Sequence, residues 1–134
     1  MLDTYLVLEN TTVTAKGDGE AIDVSAATQR VFLVVLRISE VVEQEAIDVM
    51  VVGSADGATW DAKPLLSFPQ KFYSGETPIL LDLSDRADVK FVRAHWEVNR
   101  WGRGPEEPRF VFDVRIREVP ADILAEAQRE ANNN

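Results

Sequence analysis

The chain contains no cysteine, a single histidine at position 95 and two methionines among 134 residues. Without cysteine there is no disulfide, no thiolate nucleophile and no Cys-rich zinc site, a composition that fits a reducing compartment. A lone histidine excludes a His–His metal pair, and no serine stands in a nucleophile-elbow pattern. No apolar run approaches the roughly 18–20 residues needed to cross a bilayer, so a soluble protein is expected. The first nine residues lack the basic start, long apolar centre and small-residue cleavage site of a secretory leader. The expected location is therefore the cytoplasm, or a particle assembled there.

Positive charge is also scarce: 14 basic residues stand against 23 acidic ones, a formal charge of -9. Binding to nucleic acid rests on cations that displace counterions from phosphates, so this balance argues against it. The distribution is uneven. Between positions 90 and 117 there are seven basic residues (Lys90, Arg93, Arg100, Arg103, Arg109, Arg115, Arg117) and four acids (Glu97, Glu106, Glu107, Asp113), a local +3 that leaves -12 for the remainder. Such a chain can pair with a copy of itself or steer an anionic partner. Equally, its arginines can sit on solvated strand faces beside carboxylates.

What the sequence does contain is strand periodicity. Residues 5–8 and 21–24 are short candidates, and residues 31–38 form a long apolar run suited to a central strand buried on both faces. Ile47, Val49 and Val51 alternate with Asp48, Met50 and Val52, and residues 79–83 add another short run. Over 91–101, Val92, Ala94, Trp96 and Val98 share one face while Arg93, His95, Glu97 and Asn99 share the other. Phe110, Phe112, Val114 and Ile116 repeat this against Val111, Asp113, Arg115 and Arg117. Both patterns predict half-buried strands with a polar outer face.

Turn chemistry separates these runs at Lys16-Gly17-Asp18-Gly19, Asp56-Gly57, Ser74-Gly75 and Gly102-Arg103-Gly104-Pro105. Seven or eight strands so punctuated predict an all-β fold, a two-sheet antiparallel sandwich of jelly-roll type over residues 1–119. Residues 61–75 carry Pro64 and Pro69 without a clean period and read as a long structured loop with one short strand. Only the end reads as helical: Pro120 suits a first turn, Asp122 the positive end, and Ile123, Ala127 and Ala131 follow at helical spacing. A short helix and frayed tail are expected over 120–134.

The order of features, a strand ending in Gly53-Ser54-Ala55-Asp56-Gly57-Ala58-Thr59-Trp60, then Phe72-Tyr73-Ser74-Gly75, Lys90-Phe91-Val92-Arg93-Ala94 and a closing strand over 110–116, resembles the discoidin, or coagulation-factor C-type, family of galactose-binding-like jelly rolls. The resemblance spans roughly half the chain. It implies recognition of glycans, lipid headgroups or proteins by loops at one end of the sandwich. The chain departs from the pattern in lacking a leader and the disulfide that often ties such domains. The turn also shares residues with the Asp-box of sialidase-type propellers, but its spacing differs, and one copy in a chain this short does not make a propeller. In structural terms, Asp56-Gly57 makes the turn and Trp60 is expected to pack into the core.

For recognition, Arg100, Trp101 and Arg103 place an indole between two planar cations in a glycine-bearing loop, which suits a sugar ring, a carboxylate or a protein hot spot. Phe72 and Tyr73 form a second aromatic loop, and Arg93 and His95 occupy the polar face between. Glu97 and Asp113 could neighbour each other across strands, but flanking arginines would lower their pKa values and disfavour a general acid. Acidic turns at 18–20 and 82–88 could offer oxygens to calcium, yet neither has the EF-hand pattern, and no metal or cofactor is expected. The sequence thus points to a non-catalytic interaction or assembly module, such as a scaffold or an outer component of a phage-like particle. Its expected partner is a protein or a second copy, with a glycan-binding module as the alternative and neither nucleic acid nor membrane as a partner.

Overall fold

A computed structural model describes residues 2–28, 30–41, 45–70, 74–100, 109–120 and 122–123. Nine strands are seen among them: β1 (Asp3–Val13), β2 (Gly17–Asp18), β3 (Ile22–Asp23), β4 (Val31–Val41), β5 (Glu45–Ser54), β6 (Leu66–Ser67), β7 (Gly75–Asp82), β8 (Phe91–Arg100) and β9 (Phe110–Glu118). They form two antiparallel sheets, one in the order β1-β9-β4-β7 and the other β2-β8-β5-β6, with β3 also on β8. The architecture is the all-β sandwich that the period-2 patterning predicts. Of the expected C-terminal helix, the described residues show Asp122 and Ile123 in helical conformation, while Ala121 and residues 124–134 lie outside them.

The core fills the space between the sheets. From the first sheet come Phe32, Val34, Leu36 and Ile38 of β4 and Phe110, Phe112, Val114 and Ile116 of β9; from the second come Ile47, Val49 and Val51 of β5 and Val92, Ala94 and Trp96 of β8. Each fully buried aliphatic or aromatic side chain contributes about 1.5–3 kcal/mol of transfer free energy, so these alternating faces dominate stability. Trp96 meets Phe112 edge to face across the sheets at 5.5 Å between ring centroids. Its indole N–H donates to the Ala15 carbonyl at 3.1 Å, so the one polar atom it takes inside is satisfied.

β1 departs from strict alternation because it is bulged: Tyr5 opposes Arg115 and Val7 opposes Val114, which leaves Leu6 as an extra residue. Leu6 and Val7 are in consequence both buried. The chain then crosses to the second sheet, where Gly17 and Asp18 pair with Trp96 and His95. Gly19 lies so close to the Leu6 carbonyl oxygen that a β-carbon there would collide with backbone. Arg30, at φ 58°, ties the adjoining loops by donating to the carbonyls of Val24 at 3.1 Å, Arg86 at 2.7 Å and Val89 at 2.8 Å.

Among the described residues, β4 has one face covered and one not. Phe32, Val34, Leu36 and Ile38 enter the core, whereas Val31, Leu33 and Val35 are only half-buried on the outside of the sheet. The uninterrupted apolar run is the pattern of a strand between two layers, and the described residues supply one of them.

Candidate functional site

The turn after β5 is a closed hydrogen-bonded unit. Ser54, fully buried, accepts at Oγ from the amides of Gly57 (2.8 Å) and Asp56 (3.2 Å) and donates to the Thr59 carbonyl (2.6 Å). Asp56 Oδ1 accepts from the amides of Thr59 (2.8 Å) and Ala58 (2.9 Å), and these bonds hold its carboxyl below the usual aspartate range. Gly57 takes φ +79° with its α-carbon against the Phe91 ring, a conformation that a β-carbon disfavours. The turn closes as the Asp61 amide donates to the Gly53 carbonyl at 2.9 Å.

This closure fixes where Trp60 goes. The indole is half-exposed and lies on the outer face of the second sheet, with the Arg93 guanidinium carbon 4.3 Å from its ring centroid. The expectation that Trp60 packs into the core is corrected: a seven-residue turn sets its side by hydrogen bonding, which strand parity does not report. Arg93 is carried on β8 opposite Val52, and His95 opposite Met50, so the two columns of outward residues meet beneath the indole.

Asp18 of β2 completes the site. Its Oδ1 accepts from His95 Nδ1 at 2.8 Å and lies 3.5 Å from Arg93 Nε, while His95 Nε2 is 3.5 Å from Glu97 Oε1. A carboxylate can only accept, so Nδ1 is the protonated nitrogen in this arrangement. At 3.5 Å the Arg93–Asp18 approach is an ion pair without a hydrogen bond, and Arg93 Nε is buried with no hydrogen-bond partner. The resulting groove, about 350 Å³, has Met50 and Val52 as apolar floor, Trp60 as one wall and Asp18, His95 and Glu97 along the polar side. His95 and Asp18 resemble an oriented base, but among the described residues no serine, threonine, tyrosine or cysteine lines this groove to be activated.

Of the residues that the sequence singles out, Arg93 and His95 are brought together in this groove. Arg100 ends β8 opposite Glu45, about 23 Å along the strand from Arg93 at the usual rise per residue. Its side chain, and Trp101, Arg103, Phe72 and Tyr73, lie outside the described residues. Glu97 and Asp113 do not neighbour each other: they sit on β8 and β9, in different sheets. Asp113 is instead held at 2.8 Å by Arg37 of the neighbouring strand β4. Sequence reasoning missed Trp60, Asp18 and Met50 as site residues. The parity of β5 marks Met50 as outward, while Asp18 and Trp60 enter from turns.

A second hollow, about 560 Å³, lies at one end of the sandwich over Leu65, Leu81 and Leu83. Its Arg86 is already gripped by Asp88 at 3.0 and 3.1 Å and approached by Asp61 at 3.8 Å, so its charges are largely spent on one another. Asp82, in the same acidic stretch, is occupied by the amide and hydroxyl of Ser84. Among the described residues no group of three or more carboxylate or histidine side chains is arranged to hold a metal ion, and no helix is long and apolar enough to cross a membrane. No protein-family model matches the chain, and comparison with curated proteins finds no match.

Proposed function

We propose that this protein is a non-catalytic interaction module that contributes protein–protein contacts to an assembly, through the outer face of β8 and β5. The observation that carries this reading is the Trp60–Arg93 stack, with a buried Arg93 Nε that has no hydrogen-bond partner. Tryptophan and arginine are the residues most enriched among interfacial hot spots, and a half-exposed pair backed by apolar floor loses little conformational entropy on docking. Asp18 and Glu97 supply a polar rim that fixes register rather than affinity. The acidic surface and the strand arginines suit a subunit of a scaffold or particle that meets partners in a defined orientation.

A photo-crosslinking residue at Met50, on the groove floor, tests this in cells that make the protein. A discrete protein adduct that disappears with Trp60→Ala or Arg93→Ala, in variants that remain folded, is expected. Adducts indifferent to both substitutions would sink the reading. A glycan-binding module is the second reading, supported by the same indole, which gives a flat platform beside carboxylate acceptors. It predicts sugar-dependent thermal stabilisation that is lost with Trp60→Ala, in place of a protein adduct.

A further inference from the structure

We infer that the outer face of the first sheet binds a second copy of this chain, forming a two-fold dimer that packs sheet against sheet along β4. The starting observation is that apolar run on β4, whose inward residues are in the core while Val31, Leu33 and Val35 face outward with no covering layer among the described residues. Beside them on β7, Leu80 is 61% exposed and Pro78 is exposed, Leu80 opposite Leu33 and Pro78 opposite Val35. A continuous apolar stripe on a central strand and its neighbour is what a second layer covers.

The shape and charge around the stripe indicate which layer. Flanking β4 on the other side, β9 presents Arg117 opposite Leu33 and Arg115 opposite Val35, while β7 carries exposed Glu76 and Asp82 at the two ends of its apolar pair. A hollow of about 220 Å³ lies over β9 and β4, lined by Tyr5, Leu33, Val35, Arg37, Asp113 and Arg115 among others. Rotation by 180° about an axis along β4 lays β7 of one copy over β9 of the other. Leu80 of each copy then comes level with the other's Arg117 at one side of its hollow, Arg117 lies diagonal to the partner's Asp82, and Arg115, paired with Asp3 of its own copy, lies diagonal to the partner's Glu76, while the two Arg37 side chains, each held by its own Asp113, face each other near the axis. Each apolar and each diagonal cation–anion approach occurs twice, as an isologous interface requires. This inference stands on different residues from the Trp60 groove and does not depend on it.

Sedimentation of the purified chain over a wide concentration range, paired with crosslinking, tests it. Wild type is expected at twice the chain mass, and Leu80→Glu, a change at an exposed position, is expected to weaken association by about tenfold or more with unchanged melting. Because the chain has no cysteine, Leu33→Cys introduces a single thiol beside the axis, where a short bis-maleimide should join two copies. Met50→Cys, on the opposite sheet, should not be joined. Trp60→Ala with Arg93→Ala is expected to leave the dimer intact, which separates this face from the groove. A wild type of single-chain mass at every concentration overturns the inference, as does a dimer that Leu80→Glu leaves alone and Leu33→Cys does not crosslink.

Discussion

A single hydroxyl organises the turn that places Trp60. Ser54 Oγ satisfies three backbone groups at once within a fully buried residue, so Ser54→Ala deprives two amides and a carbonyl of their part-buried hydrogen bonds. Urea denaturation should show a loss of about 1–3 kcal/mol. The same substitution should loosen Trp60 from Arg93, visible as a change in tryptophan fluorescence. The neighbouring carboxylate sets a pH dependence. Asp56 is held below its ordinary pKa by the Thr59 and Ala58 amides, so its contribution is complete above the unfolded value and is lost as pH falls through the folded one. Acid unfolding curves of wild type should therefore descend in the range below the usual aspartate pKa more steeply than those of Asp56→Asn.

At the scale of the strand, the sites where chain segments cross closely set the limits on substitution. The β2–β3 connection begins with Gly19 against the Leu6 carbonyl while its own amide bonds the Ala94 carbonyl at 2.8 Å. Gly19→Ala forces backbone to yield and should cost about 1–3 kcal/mol in chemical denaturation. Phe112→Ala, at a fully buried position against Trp96, should cost about 3–5 kcal/mol by cavity formation. The strands themselves were legible in the sequence. Period-2 alternation over 91–100 and 110–118 reports directly which side chains enter the core, and Arg93 and His95 emerge on the polar face by parity alone. The short strand expected within residues 61–75 appears as β6, paired to Met50 and Val51. The site was only partly legible. Trp60 and Asp18 reach it from turns, where hydrogen-bond closure rather than alternation decides direction, and a local pattern does not report which sheet Asp18 joins. The apolar run of β4 predicted two covered faces, and among the described residues one is covered, because periodicity records the environment for which a strand is built and not what supplies it.

At the scale of the molecule, the sandwich offers two outward faces of different character. One carries an aromatic–cation stack with a polar rim, the other an apolar stripe between arginines and carboxylates. The basic residues clustered between 90 and 117 are not a uniform patch: Arg93, Arg109 and Arg115 are placed against Asp18, Glu40 and Asp3. Exposed pairs of this kind contribute little to stability and more to orientation, so contacts on both faces should weaken as salt is raised. The central claim is that the protein works by covering the Trp60–Arg93 groove with a protein partner. Hydroxyl-radical footprinting measures this directly, because Trp60, Met50 and His95 are reactive reporters on that one face. Comparing the protein in its native cells with the purified chain, the account predicts that all three fall in oxidation together. Unchanged reactivity at Trp60 and Met50, with protection appearing elsewhere on the surface, would contradict it.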